Sequence, residues 1–330
     1  MTSKKSVLFL ALMLFLAMLL LPLVSLGGGD AASGASGTGS ASSKLKLNAS
    51  GKQFRIRDTT SGKVLTVGDR DFLRGAVAAE MSPDAPAEAL KAQAVAAYTY
   101  YGRIREAKLA QGGGTSDFDA CPSKWSIYVT DEEMKKRWGN SYQKYSSALN
   151  DAANAVAGQV LEYGGKLIDA TYFAISGGST EDAADVWGSK CPYLVSVASP
   201  WDAFAGGYQT TASFSEDDFR SRVLKAAANA VFSGDANGWV SDAERSAAGT
   251  VKSIVIGGRT LTGSQVREVF GLRSADFTLT HSNGQFLFSV KGYGHGVGMS
   301  QTGAEGMARQ GSSYKDILAW YYPGTKLTSV

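Results

Sequence analysis

Asp71-Phe72-Leu73-Arg74-Gly75-Ala76-Val77-Ala78-Ala79-Glu80-Met81, the turn Ser82-Pro83-Asp84-Ala85-Pro86, and the run from Ala87 to Ala110 together decide how this chain reads. The spacing predicts one helix over Asp71–Met81 and a second from Pro86 to about Ala110. In the second, Leu90, Ala94, Ala97, Tyr98 and Tyr101 recur at steps of three and four, which stacks them on one helical face. Pro86 suits a first helical turn, where an amide N–H has no intrahelical partner to lose. Gly112-Gly113-Gly114 ends the second helix, and the two prolines break it from the first.

Moving toward the N-terminus, Phe54–Arg57 and Val64–Val67 alternate around Thr60-Ser61-Gly62-Lys63 as a hairpin does. Residues 27–43 are nearly all Gly, Ala, Ser and Thr, which bury too little apolar surface to offset ordering and read as a tether. Before them, Lys4 and Lys5 precede an apolar run from Val7 to Leu26, long enough as a helix to cross a bilayer. Residues 1–26 are therefore expected to be a transmembrane anchor or a signal peptide. No Ala-x-Ala pattern stands at Ser25-Leu26-Gly27, which favours the anchor. Either reading, with the lysines on the cytoplasmic side, puts the domain outside the cytoplasm at the cell membrane.

Toward the C-terminus, Thr130-x-x-Glu133 has capping-box spacing and opens a third helix that runs, with one break, to Gly158. Val160–Tyr163 and Lys166–Ile175 are expected as strands joined at Gly164-Gly165. A helix over Ser215–Phe232 is followed by Gly- and Ala-rich sequence through Gly249 that reads as an insertion. Short strands (Val251–Ile256, Phe277–Thr280, Phe286–Val290), a helix near Met299–Arg309 and a closing turn at Tyr321–Thr325 complete the chain. The expectation is an α+β fold, with helices clustered early and packed on mostly antiparallel short strands. The partition is 1–26 anchor, 27–52 linker and 53–330 folded domain.

Setting aside the five lysines and one aspartate of residues 1–52, the 33 basic and 30 acidic residues fall to 28 and 29. A near-neutral body without a basic run argues against a nucleic-acid partner, whose phosphates demand a basic face. Cys121 and Cys191 are the only cysteines, and outside the cytoplasm they either form a disulfide or stay as buried thiols. With only His281 and His295 in the chain, a metal site lacks ligands.

Glu80 closes an almost wholly apolar stretch, so burial there raises its pKa toward the value a general acid needs; the plainer reading is a helix-end glutamate pointing to water. His295 lies in Lys291-Gly292-Tyr293-Gly294-His295-Gly296-Val297-Gly298-Met299-Ser300-Gln301, where alternating glycines let backbone approach a ligand closely, or simply make a tight turn with a backbone-bonded histidine. His281 reads as a turn residue. Ser176-Gly177-Gly178-Ser179-Thr180-Glu181 lacks the Gly-x-Ser-x-Gly form of a nucleophile elbow. Asp185-Val186-Trp187-Gly188 and Ser199-Pro200-Trp201-Asp202 set aromatics beside carboxylates, in a sugar site or in a core.

These segments resemble the stage II sporulation protein D, or SpoIID/LytB, family. The likeness is carried in order by Arg74–Met81 with Glu88–Ala97, Ser176–Thr180 with Asp185–Gly188, Pro192–Leu194 with Ser199–Asp202, Gly294–Gln301 and Tyr321–Thr325, across roughly residues 54–328. The resemblance implies a peptidoglycan lytic transglycosylase. Such an enzyme cleaves glycan strands stripped of stem peptides between N-acetylmuramic acid and N-acetylglucosamine, during engulfment in sporulation. Glu80 would be its catalytic residue, and His295, Gln301, Ser176 and Trp187 would contact substrate. It implies a peptidoglycan amidase and a membrane scaffold protein of the engulfment machinery as partners, and no cofactor. Two alternatives stand beside it: a non-catalytic amidase enhancer that binds wall or an autolysin, and a hydrolase that pairs Glu80 with Asp185 or Asp202. Some members carry a zinc site of one His and two Cys near the segment matching Cys121–Tyr128. Here Ser126 stands where the second cysteine is expected and no histidine precedes it, so no zinc is expected and a Cys121–Cys191 bridge is favoured.

Overall fold

β1 (Gln53–Asp58) and β2 (Val64–Gly68) pair antiparallel with Phe54 opposite Val67 and Arg57 opposite Val64. In β1 Phe54 and Ile56 face the core and are fully buried, while the alternating Arg55 and Arg57 turn outward to Asp117 and Asp119. The computed structural model of the chain describes residues 53–329; the expected anchor and linker lie outside them. Among the described residues no helix is long and apolar enough to cross a membrane.

α1 (Asp69–Glu80) buries Phe72, Leu73, Ala76 and Val77, and stops where Met81 turns extended ahead of Pro83. Each such large apolar side chain contributes about 1.5–3 kcal/mol by leaving water. Gly75 is required there, because a Cβ would sit 2.3 Å from the Tyr128 ring. α2 (Ala87–Ala110) has Pro86 as its N-cap, one position before the expected first turn, and runs 24 residues. Its alanines 89, 92, 94, 96 and 97 are all fully buried, which places it in the middle of the helical layer and explains why its apolar stripe is broad.

β3 (Phe118–Ala120) joins β1 in parallel. In α3 (Asp131–Trp138) the Thr130 hydroxyl accepts from Glu133 N–H, as expected, and after a short 3-10 turn α4 (Tyr142–Val156) follows. β4 (Gln159–Tyr163) turns at Gly164-Gly165, both at positive φ, into β5 (Lys166–Leu167). The expected second strand ends there. The chain leaves the hairpin and forms β6 (Tyr172–Phe173), and α5 (Ala183–Trp187) follows, capped by the Asp182 side chain.

The expected insertion is larger than the Gly/Ala-rich segment. β7 (Gln209–Ser215), α6 (Glu216–Ala226), β8 (Glu244–Arg245), β9 (Val251–Ile256), β10 (Arg259–Thr262), α7 (Gly263–Phe270), β11 (Phe277–Ser282) and β12 (Gln285–Lys291) surround a second core. This core centres on Phe219, Phe270, Phe286 and Phe288. α6 ends six residues before the expected Phe232, because Val231 N–H bonds Gly257 and the Phe232 ring packs 5.0 Å from Trp239. Tertiary contacts there outweigh helical propensity.

β13 (Met299–Ser300), α8 (Gln301–Arg309), α9 (Tyr314–Tyr321) and β14 (Lys326–Ser329) return to the first core, with β13 parallel to β6 and β14 antiparallel to β4. α9 replaces the start of the expected closing turn; Ser313 and Asp316 form its capping box. The fold is a mixed α and β structure in which three of the five small sheets are wholly antiparallel among the described residues. Helices are not confined to its first half. The favoured disulfide is not formed. Cys121 is a buried free thiol beside Thr60 and Ser123, and Cys191 is a half-buried one beside Tyr193.

Candidate active site around Glu80

The last residue of α1 and the first of α8 meet. The Gln301 side chain hydrogen-bonds the half-buried Glu80 carboxylate, and its Nε2 also donates to Gln93 Oε1 of α2 at 3.4 Å. Burial pushes the Glu80 carboxyl above the usual carboxylate range, and the bond from Gln301 pulls it part of the way back. Tyr101 and Tyr172 stand close enough for the Glu80 charge, added to burial, to hold both phenols well above their ordinary range. They are hydrogen-bonded to each other and stay protonated, as donors.

A buried carboxylate holds this arrangement in place. Asp202 is fully buried and accepts four hydrogen bonds: Ser176 N–H and Ser176 Oγ at 2.9 Å each, and Ser199 Oγ and Ser300 Oγ at 2.5 Å each. Ser199 Oγ also meets Tyr321 Oη at 2.6 Å. Ser300 is the N-cap of α8, so Asp202 fixes the residue directly before Gln301. Gly303 makes the crossing possible, since a Cβ there would lie 2.0 Å from Tyr321 Oη and 2.2 Å from Ser199 Oγ.

The other residues singled out in the sequence fall into distinct positions. Ser176 is 2% exposed, and its N–H and hydroxyl both bond Asp202. His295 Nε2 is 3.1 Å from the Tyr172 carbonyl, and Nδ1 accepts from Val297 N–H at 3.1 Å, which assigns the neutral Nε2–H tautomer. Burial first, then the Arg267 charge, push His295 down to about 4, opposed by its bond to Tyr172. With both ring nitrogens engaged by backbone, what it offers a ligand is its ring. Trp187, half-buried at the end of α5, lies 5.4 Å from that ring between centroids. Asp185 pairs with Lys252 at 2.8 Å, so neither it nor Asp202 is an open carboxylate beside Glu80. His281 sits in β11, between Asn237 and Glu216, one step before the expected turn. A separate cleft of about 470 Å³, lined by Asp71, Arg74, Tyr128 and Asp131 among others, opens at the opposite end of α1.

Three members of the cluster went unrecognised in the sequence. Gln93 and Tyr101 are eight residues apart on the face of α2 that meets Glu80, and a lone glutamine among alanines was the readable signal. Tyr172 had none, because long-range pairing of β6 with β13 brings it in.

The sequence model of SpoIID, described as Stage II sporulation protein, matches residues 57–163, the part that carries Glu80, Gln93 and Tyr101. Stage II sporulation protein D of Bacillus subtilis (strain 168) is 34% identical over 282 residues, covering 86% of this chain and 80% of its own. This chain belongs to the SpoIID family. A second SpoIID relative, Stage II sporulation protein D of Bacillus amyloliquefaciens, is 36% identical over 270 residues, 82% of this chain and 77% of its own. The SpoIID chain is also 30% identical over 307 residues to the amidase enhancer of Bacillus subtilis (strain 168), covering 78% of this chain and 40% of that protein.

Proposed function

We propose that this protein is a peptidoglycan lytic transglycosylase of sporulation that cleaves stem-peptide-denuded strands with Glu80. It would act on the extracytoplasmic side of the cell membrane, held there by residues 1–26. The observation that carries the reading is the desolvated Glu80 carboxyl, bonded by Gln301, while Asp185 is paired with Lys252 and Asp202 is enclosed by four donors. Hydrolytic glycosidases use two carboxyl groups. A transglycosylase manages with one: protonated Glu80 gives its proton to the leaving glycosidic oxygen as the C1–O4 bond breaks. The muramic acid O6 then attacks C1, and the carboxylate takes up the O6 proton. The product is a 1,6-anhydro ring, no water is consumed, and Glu80 ends protonated. Burial that raises the Glu80 pKa keeps the starting acid populated.

Mass spectrometry of denuded strands after digestion tests this. The expected product is an anhydro-muramic end from the wild type and none from Glu80→Gln; a reducing end one water heavier points to hydrolysis and rejects the proposal. The likeness to a protein named amidase enhancer favours a second reading, a wall-binding stimulator of an amidase. It predicts no cleavage product and a faster amidase when this protein is added. Under the first reading, an amidase that strips stem peptides acts before it, and a membrane scaffold of the engulfment machinery holds the two together.

A further inference from the structure

From Glu80 the structure leads through Tyr172 and His295 to the glycine strip, where Tyr293 is 46% exposed. The Arg273 guanidinium of the second core lies 4.3 Å over the Tyr293 ring. Arg273 is held by its own backbone, since its carbonyl accepts from Gly294 N–H at 3.0 Å, and by Gly207, where a Cβ would come within 2.6 Å of Arg273 Nη1. Arg267, on α7, spends its Nε on the Leu272 carbonyl, and its charge is felt at His295. Among the described residues neither arginine has a carboxylate within ion-pair distance, and Arg273 Nε is buried without a hydrogen-bond partner. Two half-buried guanidinium groups with unspent donors beside the exposed Tyr293 ring call for an anionic ligand group, and a planar fork matches a carboxylate best.

We propose that Arg267 and Arg273 form an anion subsite for the free lactyl carboxylate of a muramic acid residue flanking the bond cleaved at Glu80. The proposal rests on the glycan reading above. In an intact strand that carboxyl is tied up as the amide of the stem peptide and carries no charge; stripping the peptide frees it. The subsite would therefore read the denuded state of the strand through its charge, while Trp187 and Tyr293 contact the neutral rings.

Binding to full-length protein carrying Glu80→Gln, which holds strands without cutting them, tests this with two ligands: denuded strands, and the same strands with lactyl carboxylates converted to methylamides. A charge-assisted pair is worth about 1.5–3 kcal/mol, so the free-acid strands should bind about tenfold tighter or more, with the advantage shrinking at high salt. Adding Arg267→Gln and Arg273→Gln should remove the preference and leave methylamide binding unchanged, which also shows that the variant is folded. Arg273→Lys should restore part of it. Equal binding of the two ligands before the arginines are changed, or a preference that survives their loss, overturns the subsite and leaves the glycan reading standing. Binding of neither ligand overturns both.

Discussion

Replacing Asp202 by Ala tests whether this buried carboxylate holds the two halves of the site together. The change strips the acceptor from four donors at once. Ser199 Oγ can turn to Tyr321 Oη, and Ser176 Oγ keeps the bond it accepts from Gly178 N–H. Ser176 N–H and the hydroxyl protons of Ser176 and Ser300 have no replacement acceptor in this dry setting, although Ser300 Oγ, like Ser176 Oγ, keeps the bond it accepts, in its case from Gly303 N–H. Each buried donor left unsatisfied costs about 1–3 kcal/mol, and the relief of no longer burying a charge offsets part of the sum. The expected loss is about 3 kcal/mol, or roughly 6–12 °C in Tm for a domain of this size. Asp202→Asn keeps the shape and one acceptor oxygen, so it should lose less. Urea unfolding at neutral pH measures both, and the slope m reports whether the native state itself has loosened. With Ser300 released, the start of α8 drifts and Gln301 no longer meets Glu80, so cleavage of denuded strands should fall further in Asp202→Ala than its folded fraction explains. An Ala variant within about 1 kcal/mol of wild type, or Ala and Asn variants of equal stability, would refute the assignment of Asp202 as the anchor of α8.

Two further outcomes concern titration. Glu80 has a folded pKa above its unfolded one, so its ionisation opposes folding: the penalty is absent below the unfolded pKa and grows as pH rises through the folded one. Glu80→Gln should therefore melt higher than wild type at pH 7–8, with the gap closing near about pH 4; a gap independent of pH would contradict the desolvation argument. The His295 ring, pushed down to about 4, should show no NMR titration between about pH 5.5 and 8, and a midpoint near the ordinary histidine value would mean that its ring is not locked between the Tyr172 carbonyl and Val297 N–H.

Local signals in the sequence told most about the first core. The Phe54–Val67 hairpin, the Pro83–Pro86 break and the Thr130 cap are each set by neighbouring residues, and each formed within a residue or two of expectation. Where long-range packing decides, the reading fell short. Strand pairing of Gln209–Ser215 with Gln285–Lys291 turned an apparent insertion into a second core, and the aromatic contacts of Phe232 cut α6 short. At the site, Glu80 was visible because its apolar neighbours make burial evident, and Gln301 because it lies in a resembling motif. Ser176 and Asp202 were visible too, yet their positions could not reveal that they face each other. The disulfide failed for a related reason: the presence of two cysteines in a sequence says nothing about whether their Cβ atoms meet.

Gln209 and Lys291 are opposite each other across β7 and β12, so the second core leaves and rejoins the first at nearly one point. During synthesis this gives the two halves of the site different ages. Glu80, Gln93 and Tyr101 emerge early, whereas Gln301 arrives only after the whole second core has been made and β13 has docked beside β6, 127 residues from Tyr172 in the Met299 pairing. A chain still on the ribosome thus carries Glu80 without the Gln301 that bonds it. The cleavage proposed above would become possible only once β13 and Gln301 have docked.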